Sequence, residues 1–282
     1  MQDSFKINIE QLRQEGLKEL FEALERAFNA LKIDFYLVGA IARDTWFVQN
    51  GMRPSGTKDV DFAVFIPAKE DFEKLKKHLK EKEGFNDSTQ NEFVLFSPKG
   101  LQVDLLPFGE IEVEGKVMLE GKGFAKIAVN GFREVYETGT HPVEFDKQTF
   151  KVCSLPGIII LKLIAYDDRP QERQKDIEDV RLIFDHYFDI ESDIIYENHN
   201  DLFDNNAELP HIAARVLGRQ MKLILDRSID LKQRVVSILE SQIQNPEKSK
   251  IAELMNKGTD KSIEATINIM KELLIGIHEQ NH

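Results

Sequence analysis

Two aspartates lie two positions apart in an apolar, strand-like segment of the chain. Asp59 and Asp61 flank Val60, and an apolar run from Phe62 to Ile66 follows them. Because residues i and i+2 of a strand point to the same face, the two carboxylates are expected to lie side by side. Like charges held that close repel each other, and a cation between them would remove the cost. Oxygen ligands on a rigid strand favour Mg²⁺, which usually also binds water and substrate phosphates.

A third aspartate is embedded in a second apolar segment, which runs from Leu101 to Leu106. If this segment pairs beside the Asp59 strand, Asp104 completes a cluster of three carboxylates. An isolated Asp-x-Asp pair also occurs in solvated loops and at helix caps, so the metal site depends on this third acid. The spacing therefore predicts a divalent-metal site that requires two neighbouring strands.

A glycine opens a helix just upstream of the acids. The segment from Phe35 to Val38 is typical of a buried strand, and Gly39 and Ala40 then begin a helix that passes through Trp46. Glycine permits close backbone approach, and a helix N-terminus offers unpaired N–H groups to an anion. We therefore expect a phosphate-binding turn at Gly39 and Ala40.

Cationic residues form a second group, far from the acids in sequence. Lys162 interrupts an apolar helical segment, and Arg169 follows seven positions later on nearly the same helical face. One interpretation is that Lys162 reaches a triphosphate, since Lys is a suitable point charge for phosphate and Arg can bind it bidentately. The other is a salt-bridged pair of helices, in which Arg173 pairs with Asp176 or Asp168. The sequence leaves both open.

Composition describes a globular chain of one large domain or two ordinary ones. The 282 residues are 41% hydrophobic and 30% charged, with a formal net charge of −12. That charge argues against general coating of nucleic acid but permits a local basic groove. The single cysteine, Cys153, permits no intrachain disulfide, which fits a reducing compartment. With no signal-like N-terminus and no apolar run long enough for a bilayer, we expect a cytoplasmic protein without membrane contact.

The order of elements predicts an α+β fold with two domains. Strands and helices alternate and then strands dominate up to residue 153, and only helical patterns follow. We therefore predict a first domain over residues 1–153 with a mixed sheet flanked by helices, and an all-helical domain over 154–282. Predicted helices cover Ile9–Leu31, Ala40–Val48, Asp71–Lys82, Pro156–Tyr166, Glu172–His186, Leu209–Leu225, Leu231–Ile243 and Ile263–Ile277.

Gly39-Ala40, Asp59-x-Asp61 and Asp104 together resemble the DNA polymerase β-like nucleotidyltransferase superfamily. The stretch from Val38 to Asp44 is similar to the Gly-Gly-x-x-Arg-Asp motif of tRNA nucleotidyltransferases. The helical pair around Lys162 is similar to the later motifs of AbiEii-type nucleotidyltransferase toxins, through Asp168-Arg169 and Lys175-Asp176. The resemblance covers residues 31–185. Ala40 departs from the second Gly or Ser of the pattern, and Ser55 stands where the toxin family has Arg.

The resemblance implies a fold, an activity and a set of site residues. The fold would be nucleotidyltransferase-like, and the activity would transfer a nucleoside monophosphate from a nucleoside triphosphate to an acceptor hydroxyl. Two Mg²⁺ ions would be held by the three carboxylates, with Asp104 also serving as general base. The substrate-binding residues would be Gly39, Ala40, Arg43, Lys58, Lys162 and Arg169.

Three functional alternatives remain open at this stage. The acceptor could be tRNA or another RNA, with a separate antitoxin protein as partner. It could instead be a small hydroxyl compound such as an aminoglycoside, which an acidic surface would suit. A nucleotide-binding regulatory protein without transfer activity is the third, although a pure binder has no need for three mutually repelling acids.

Overall fold

The computed structural model describes residues 5–120, 123–203 and 208–280. The chain forms two compact units. One comprises Met1–Tyr136 with Thr140–Ser154, and the other comprises Glu137–Gly139 with Leu155–His282. The division into one domain over residues 1–153 and a second over residues 154–282 stays a prediction.

The first unit is built on a mixed eight-stranded sheet. Its strand order is β1-β9-β10-β2-β3-β6-β5-β4, and a separate two-stranded sheet joins β7 to β8. Strand β3 is antiparallel to β2 and parallel to β6, and β6 is antiparallel to β5. The strands are β1 Phe5–Ile7, β2 Phe35–Val38, β3 Asp59–Phe65, β4 Asn86–Asp87, β5 Val94–Phe96, β6 Gln102–Phe108, β7 Lys116–Met118, β8 Lys126–Ala128, β9 Thr140–Phe145 and β10 Gln148–Cys153.

Aromatic packing fixes one face of this sheet. Four helices belong to this part of the chain: α1 Leu17–Leu31, α2 Gly39–Gln49, α3 Lys69–Glu83 and α4 Phe132–Thr138. The rings of Phe21 and Phe28 on α1 lie 5.7 Å and 6.1 Å from that of Phe62 on β3. Full burial of such a side chain contributes roughly 1.5–3 kcal/mol. Because strand side chains alternate, burying Phe62 against α1 turns Asp59 and Asp61 to the opposite face.

The described residues of the second unit form helices joined by turns and loops, with no β-strand among them. Its helices are α5 Leu155–Asp168, α6 Gln174–Ile190, α7 Ser192–Asn198, α8 Leu209–Leu225, α9 Ile229–Gln244, α10 Lys250–Asn256 and α11 Ile263–His278. Two glycines bring α8 and α11 together, since a Cβ atom added at Gly218 would lie 3.0 Å from Cα of Gly276. No helix within the described ranges is both long and apolar enough to cross a bilayer.

The predicted fold class is confirmed: a mixed sheet flanked by helices precedes a helical region. The first predicted helix, Ile9–Leu31, is wrong in its N-terminal part. A 3-10 turn covers Ile9–Leu12, and the helix starts only at Leu17, because Arg13 and Gly16 adopt left-handed backbone angles that no α-helix accommodates. Helix α4 was not predicted, since its seven residues are too few to show a clear period.

Candidate active site

The three predicted acids lie on one face of two paired strands. In the parallel pairing of β3 with β6, Asp61 is opposite Asp104 and Asp59 is opposite Gln102. Residues opposite each other share a face, and neighbouring strands lie about 4.8 Å apart. All three carboxylates are half-buried, whereas Val60 between the first two is completely buried. The predicted strand pairing is confirmed, and we call the face that bears Asp59, Asp61 and Asp104 the acid face.

Gly39 brings the start of α2 against the acid face. Val38 is opposite Asp61 in the β2–β3 pairing, and α2 begins at the next residue. Gly39 has φ +70°, and a Cβ atom there would lie 2.9 Å from Cγ of Asp61 and overlap its Oδ2. A larger residue would therefore be strained and would displace the carboxylate. Ala40, which supplies no hydroxyl, is half-buried beside it.

Neighbouring polar groups hold two of the acids. Thr57 Oγ1 donates a hydrogen bond to Asp59 Oδ1. Gln102 Nε2 donates to Asp104 Oδ1 at 2.8 Å. Across the described parts of the chain, no three Asp, Glu, His or Cys side chains are gathered tightly enough to hold a metal ion. The all-oxygen donor set on one face fits Mg²⁺ in its chemistry, and metal binding stays a prediction.

Arg43 belongs to a buried network that the sequence reasoning missed. Its guanidinium is fully buried and donates to Asp44 Oδ1 at 2.6 Å and 3.0 Å, and it also contacts Ser55 Oγ. Asp44 Oδ2 in turn accepts hydrogen bonds from the backbone N–H and the hydroxyl of Ser55, at 2.7 Å and 2.9 Å. The network anchors the loop that leads into Thr57 and Asp59.

Because the Arg43 guanidinium is buried and paired, it is poorly placed to bind a phosphate. The phosphate contact of Arg43 stays a prediction. The sequence contains one signal of this network: an adjacent Arg and Asp inside an otherwise apolar helix. Lys58, the other predicted cation of this region, is exposed and adjoins Asp59 in the chain.

Lys162 lies in a buried ion triad of the second unit. Its Nζ is 2.8 Å from Asp176 Oδ1 and 2.6 Å from Asp179 Oδ2. Burial alone would lower the pKa of Lys162, but the two carboxylates outweigh it, so its pKa is raised and the ammonium stays charged. Arg173 Nε lies 3.6 Å from Asp176, which confirms the predicted Arg173–Asp176 pair. Arg169 pairs with Glu172 at 3.4 Å.

A family comparison identifies the chain. A model described as "Nucleotidyl transferase AbiEii toxin, Type IV TA system" matches residues 22–257. The chain belongs to this family. The matched range includes the Asp59-x-Asp61 strand, Asp104 and the Lys162 helix. The AbiEii-family chain is accordingly a nucleotidyltransferase, as the sequence predicted.

Solved structures of nucleotidyltransferases are similar to this AbiEii-family chain at low identity. An antigenic nucleotidyltransferase-like protein from Paracoccidioides brasiliensis is 14% identical over 69% of this chain and 91% of its own, with a TM-score of 0.40. The antibiotic-resistance factor ANT(2'')-Ia is 13% identical over 67% and 96%, with a TM-score of 0.40. A CCA-adding enzyme in complex with CTP is 12% identical over 95% and 72%, with a TM-score of 0.36. No curated protein sequence matches the chain.

Proposed function

We propose that this AbiEii-family enzyme transfers a nucleoside monophosphate from a nucleoside triphosphate to an acceptor hydroxyl at the acid face. The observation that carries the proposal is the strand register, which puts Asp61 opposite Asp104 with Asp59 on the same face. Three half-buried carboxylates on one face of two paired strands repel one another, and bound cations would offset that repulsion. Asp59, Asp61 and Asp104 would hold two Mg²⁺ ions, which when bound neutralise phosphate charge and favour ionisation of the attacking hydroxyl.

The residues of the first unit supply the positions that in-line transfer needs. The N-terminal amides of α2, which begins at Gly39, would donate hydrogen bonds to the phosphates. Asp104 would take the proton of the acceptor hydroxyl as that oxygen forms a bond to the α-phosphorus. The bond from the α-phosphorus to the pyrophosphate oxygen breaks, and pyrophosphate leaves. Positioning and charge neutralisation supply most of the catalysis in such reactions.

Cations that neutralise the triphosphate are a separate part of the proposal. Lys58 is exposed next to Asp59 in the chain, and Lys162 keeps its charge in the triad with Asp176 and Asp179. We assign phosphate binding to Lys58, with Arg169 as a weaker candidate. Arg43 and Lys162 are less suited, because each is buried and already paired with carboxylates, and a phosphate contact of either stays a prediction.

Membership of the AbiEii family supports a proposal for the acceptor and the biological role. We propose an RNA acceptor, such as a tRNA end, and a role as the toxin of a pair whose antitoxin is a separate protein. A small hydroxyl compound as acceptor, and nucleotide binding without transfer, are the outcomes that would replace this proposal.

The test is incubation with each labelled triphosphate, Mg²⁺ and total RNA, with pyrophosphate and labelled RNA as readouts. We expect Asp61→Ala to lower transfer at least about 100-fold, a loss of roughly 2.7 kcal/mol in transition-state stabilisation. Asp71→Ala, which removes an acid paired with Lys74 on α3, is the matched control and should leave transfer unchanged. A folded Asp61→Ala variant with near-normal transfer would refute the site. Nucleotide binding without pyrophosphate, whatever the acceptor, would favour the regulatory binder.

A further inference from the structure

An aromatic side chain extends the acid face away from the helix α2 side. Strand β5 pairs with the far edge of β6, and Phe96 is opposite Gln102 in that pairing. Gln102 is itself opposite Asp59, so Asp59, Gln102 and Phe96 form one row across three strands. Opposite residues share a face, and two strand spacings put the Cα atom of Phe96 roughly 10 Å from that of Asp59.

The ring of Phe96 is available to a ligand. It is 37% exposed, and within the described residues no other aromatic ring packs against it. Most other phenylalanines of the first unit pack in pairs, as Phe21 does with Phe62. A singly exposed apolar side chain is common and has no meaning alone. Phe96 differs from such a residue because its exposed ring lies on the same face of the sheet as the three acids.

The order of strands gives the acid face two different ends. Helix α2 begins beside β2, at the end where the phosphates would bind. Asp104, the acid that would take the acceptor's proton, lies on β6, and β5 with Phe96 comes after β6 in the strand order. An acceptor whose proton Asp104 takes would then approach from the β5 side of the face, where Val94, opposite Asp104, is buried and Phe96, two positions further along the chain, is exposed.

We propose that Phe96 is a stacking platform for the terminal nucleobase of a single-stranded RNA acceptor. This inference rests on the proposed function and names its substrate class. Every nucleobase has a planar π-face that stacks on an aromatic side chain, whereas the saturated rings of an aminoglycoside have none. Asn86 on β4 is opposite Phe96 in the same row and is exposed, so its amide can hydrogen-bond to the edge of the stacked base.

The experiment compares binding of two labelled RNA oligonucleotides to the full chain with Mg²⁺. One carries a normal 3′-terminal nucleotide and the other an abasic one. We expect Phe96→Ala to weaken binding of the normal RNA at least about 10-fold, and Phe96→Trp to stay within about 3-fold of the unsubstituted chain. The abasic RNA should bind all three proteins equally. Met118→Ala, which removes an exposed side chain from β7, is the control and should bind like the unsubstituted chain.

Each alternative outcome overturns a stated part of the inference. Equal binding of the normal RNA by Phe96→Ala and the unsubstituted chain removes the platform. A Phe96→Ala variant that loses affinity for the nucleoside triphosphate instead assigns the ring to the incoming nucleotide. Because RNA binding is measured without transfer, failure of the Phe96 platform is distinguishable from failure of the catalytic proposal, which Asp61→Ala tests.

Discussion

Gly39 and Asp61 touch where β2 meets β3, with no room for a Cβ atom between them. The contact places a carboxylate against the first turn of α2, where the unpaired N–H groups and the helix dipole favour negative charge. The same amides would hold a substrate phosphate, so the glycine keeps the acid and the phosphate site adjacent.

Substitution of Gly39 by alanine should lower nucleotide transfer by more than its loss of stability explains. The left-handed backbone costs an alanine about 1–2 kcal/mol, and its Cβ must also displace the Asp61 carboxylate. We expect nucleotide transfer to fall at least about 100-fold, measured as pyrophosphate release. Gly51→Ala is the matched control, because Gly51 has φ +74° with nothing within 4 Å of an added Cβ. It should lose similar stability and keep its activity, and equal activity of the two variants would remove the role given to the Gly39–Asp61 contact.

Gln102 is expected to act on catalysis through Asp104. Its Nε2 donates to Asp104 Oδ1 at 2.8 Å, which fixes the orientation of that carboxylate. Gln102→Leu keeps the size of the side chain and removes the donor. Since a hydrogen bond to a charged group contributes about 1.5–3 kcal/mol, we expect transfer to fall roughly 10-fold or more.

The measurement for Gln102→Leu is kcat at saturating triphosphate, alongside thermal unfolding. Gln148→Leu is the control, because Gln148 also donates to a carboxylate, that of Glu25, but from β10. If both variants keep full kcat, Gln102 does not position Asp104.

The sequence could predict the acids and their strands because the signals were local. Alternation of apolar residues with Asp59 and Asp61 predicts a strand whose two carboxylates share a face, and β3 forms there. The apolar run from Phe35 to Val38 predicts a second strand, and β2 begins and ends at these residues. The three-acid cluster is predicted only if the Asp59 strand pairs with the strand that bears Asp104, because nothing in the sequence determines which strands are neighbours. The structure supplies that register.

Other parts of the site depend on distant contacts that no local pattern reveals. Arg43 looked like a phosphate ligand, but its charge is taken up by Asp44 and by Ser55, twelve positions on, in a loop without periodicity. In the sequence, Phe96 is simply the last residue of an apolar, strand-like run that begins at Phe93. Its place on the acid face follows only from two successive strand pairings, and Gln102 was overlooked for the same reason.

The Lys162 triad should stabilise the fold whatever its part in catalysis. Lys162→Met would leave Asp176 and Asp179 close together with no ammonium between them. Breaking a buried ion pair by removing one partner costs about 3–5 kcal/mol, so we expect a loss of that size in the free energy of unfolding. Lys250→Met, which removes an exposed lysine paired with Glu253, should change stability little. Equal stability of the two variants would contradict the triad.

The same Lys162→Met variant tests triphosphate binding. A raised KM for the triphosphate, measured well below the unfolding temperature, would support a direct phosphate contact. An unchanged KM with lost stability would assign Lys162 to structure alone.

Glu191, at the junction of α6 and α7, should make stability depend on pH near neutrality. Burial raises the pKa of Glu191 from 4.5 to about 7. The folded state therefore holds a proton that the unfolded chain has already lost, and stability falls as pH rises from about 4.5 to about 7. Above this window the half-buried charge costs roughly 3–4 kcal/mol at most, since each unit of the pKa difference corresponds to about 1.4 kcal/mol.

Glu191→Gln removes the titration and should be more stable than the unsubstituted chain at pH 8 but not at pH 4.5. The measurement is chemical denaturation across that pH range, with the difference between the two proteins growing through the window. Glu197→Gln on α7 provides the control, because Glu197 is exposed and its replacement should leave the difference flat. If the Glu191→Gln difference is equally flat, burial of the Glu191 carboxyl does not shift its proton affinity, and the pH dependence must be sought in other groups.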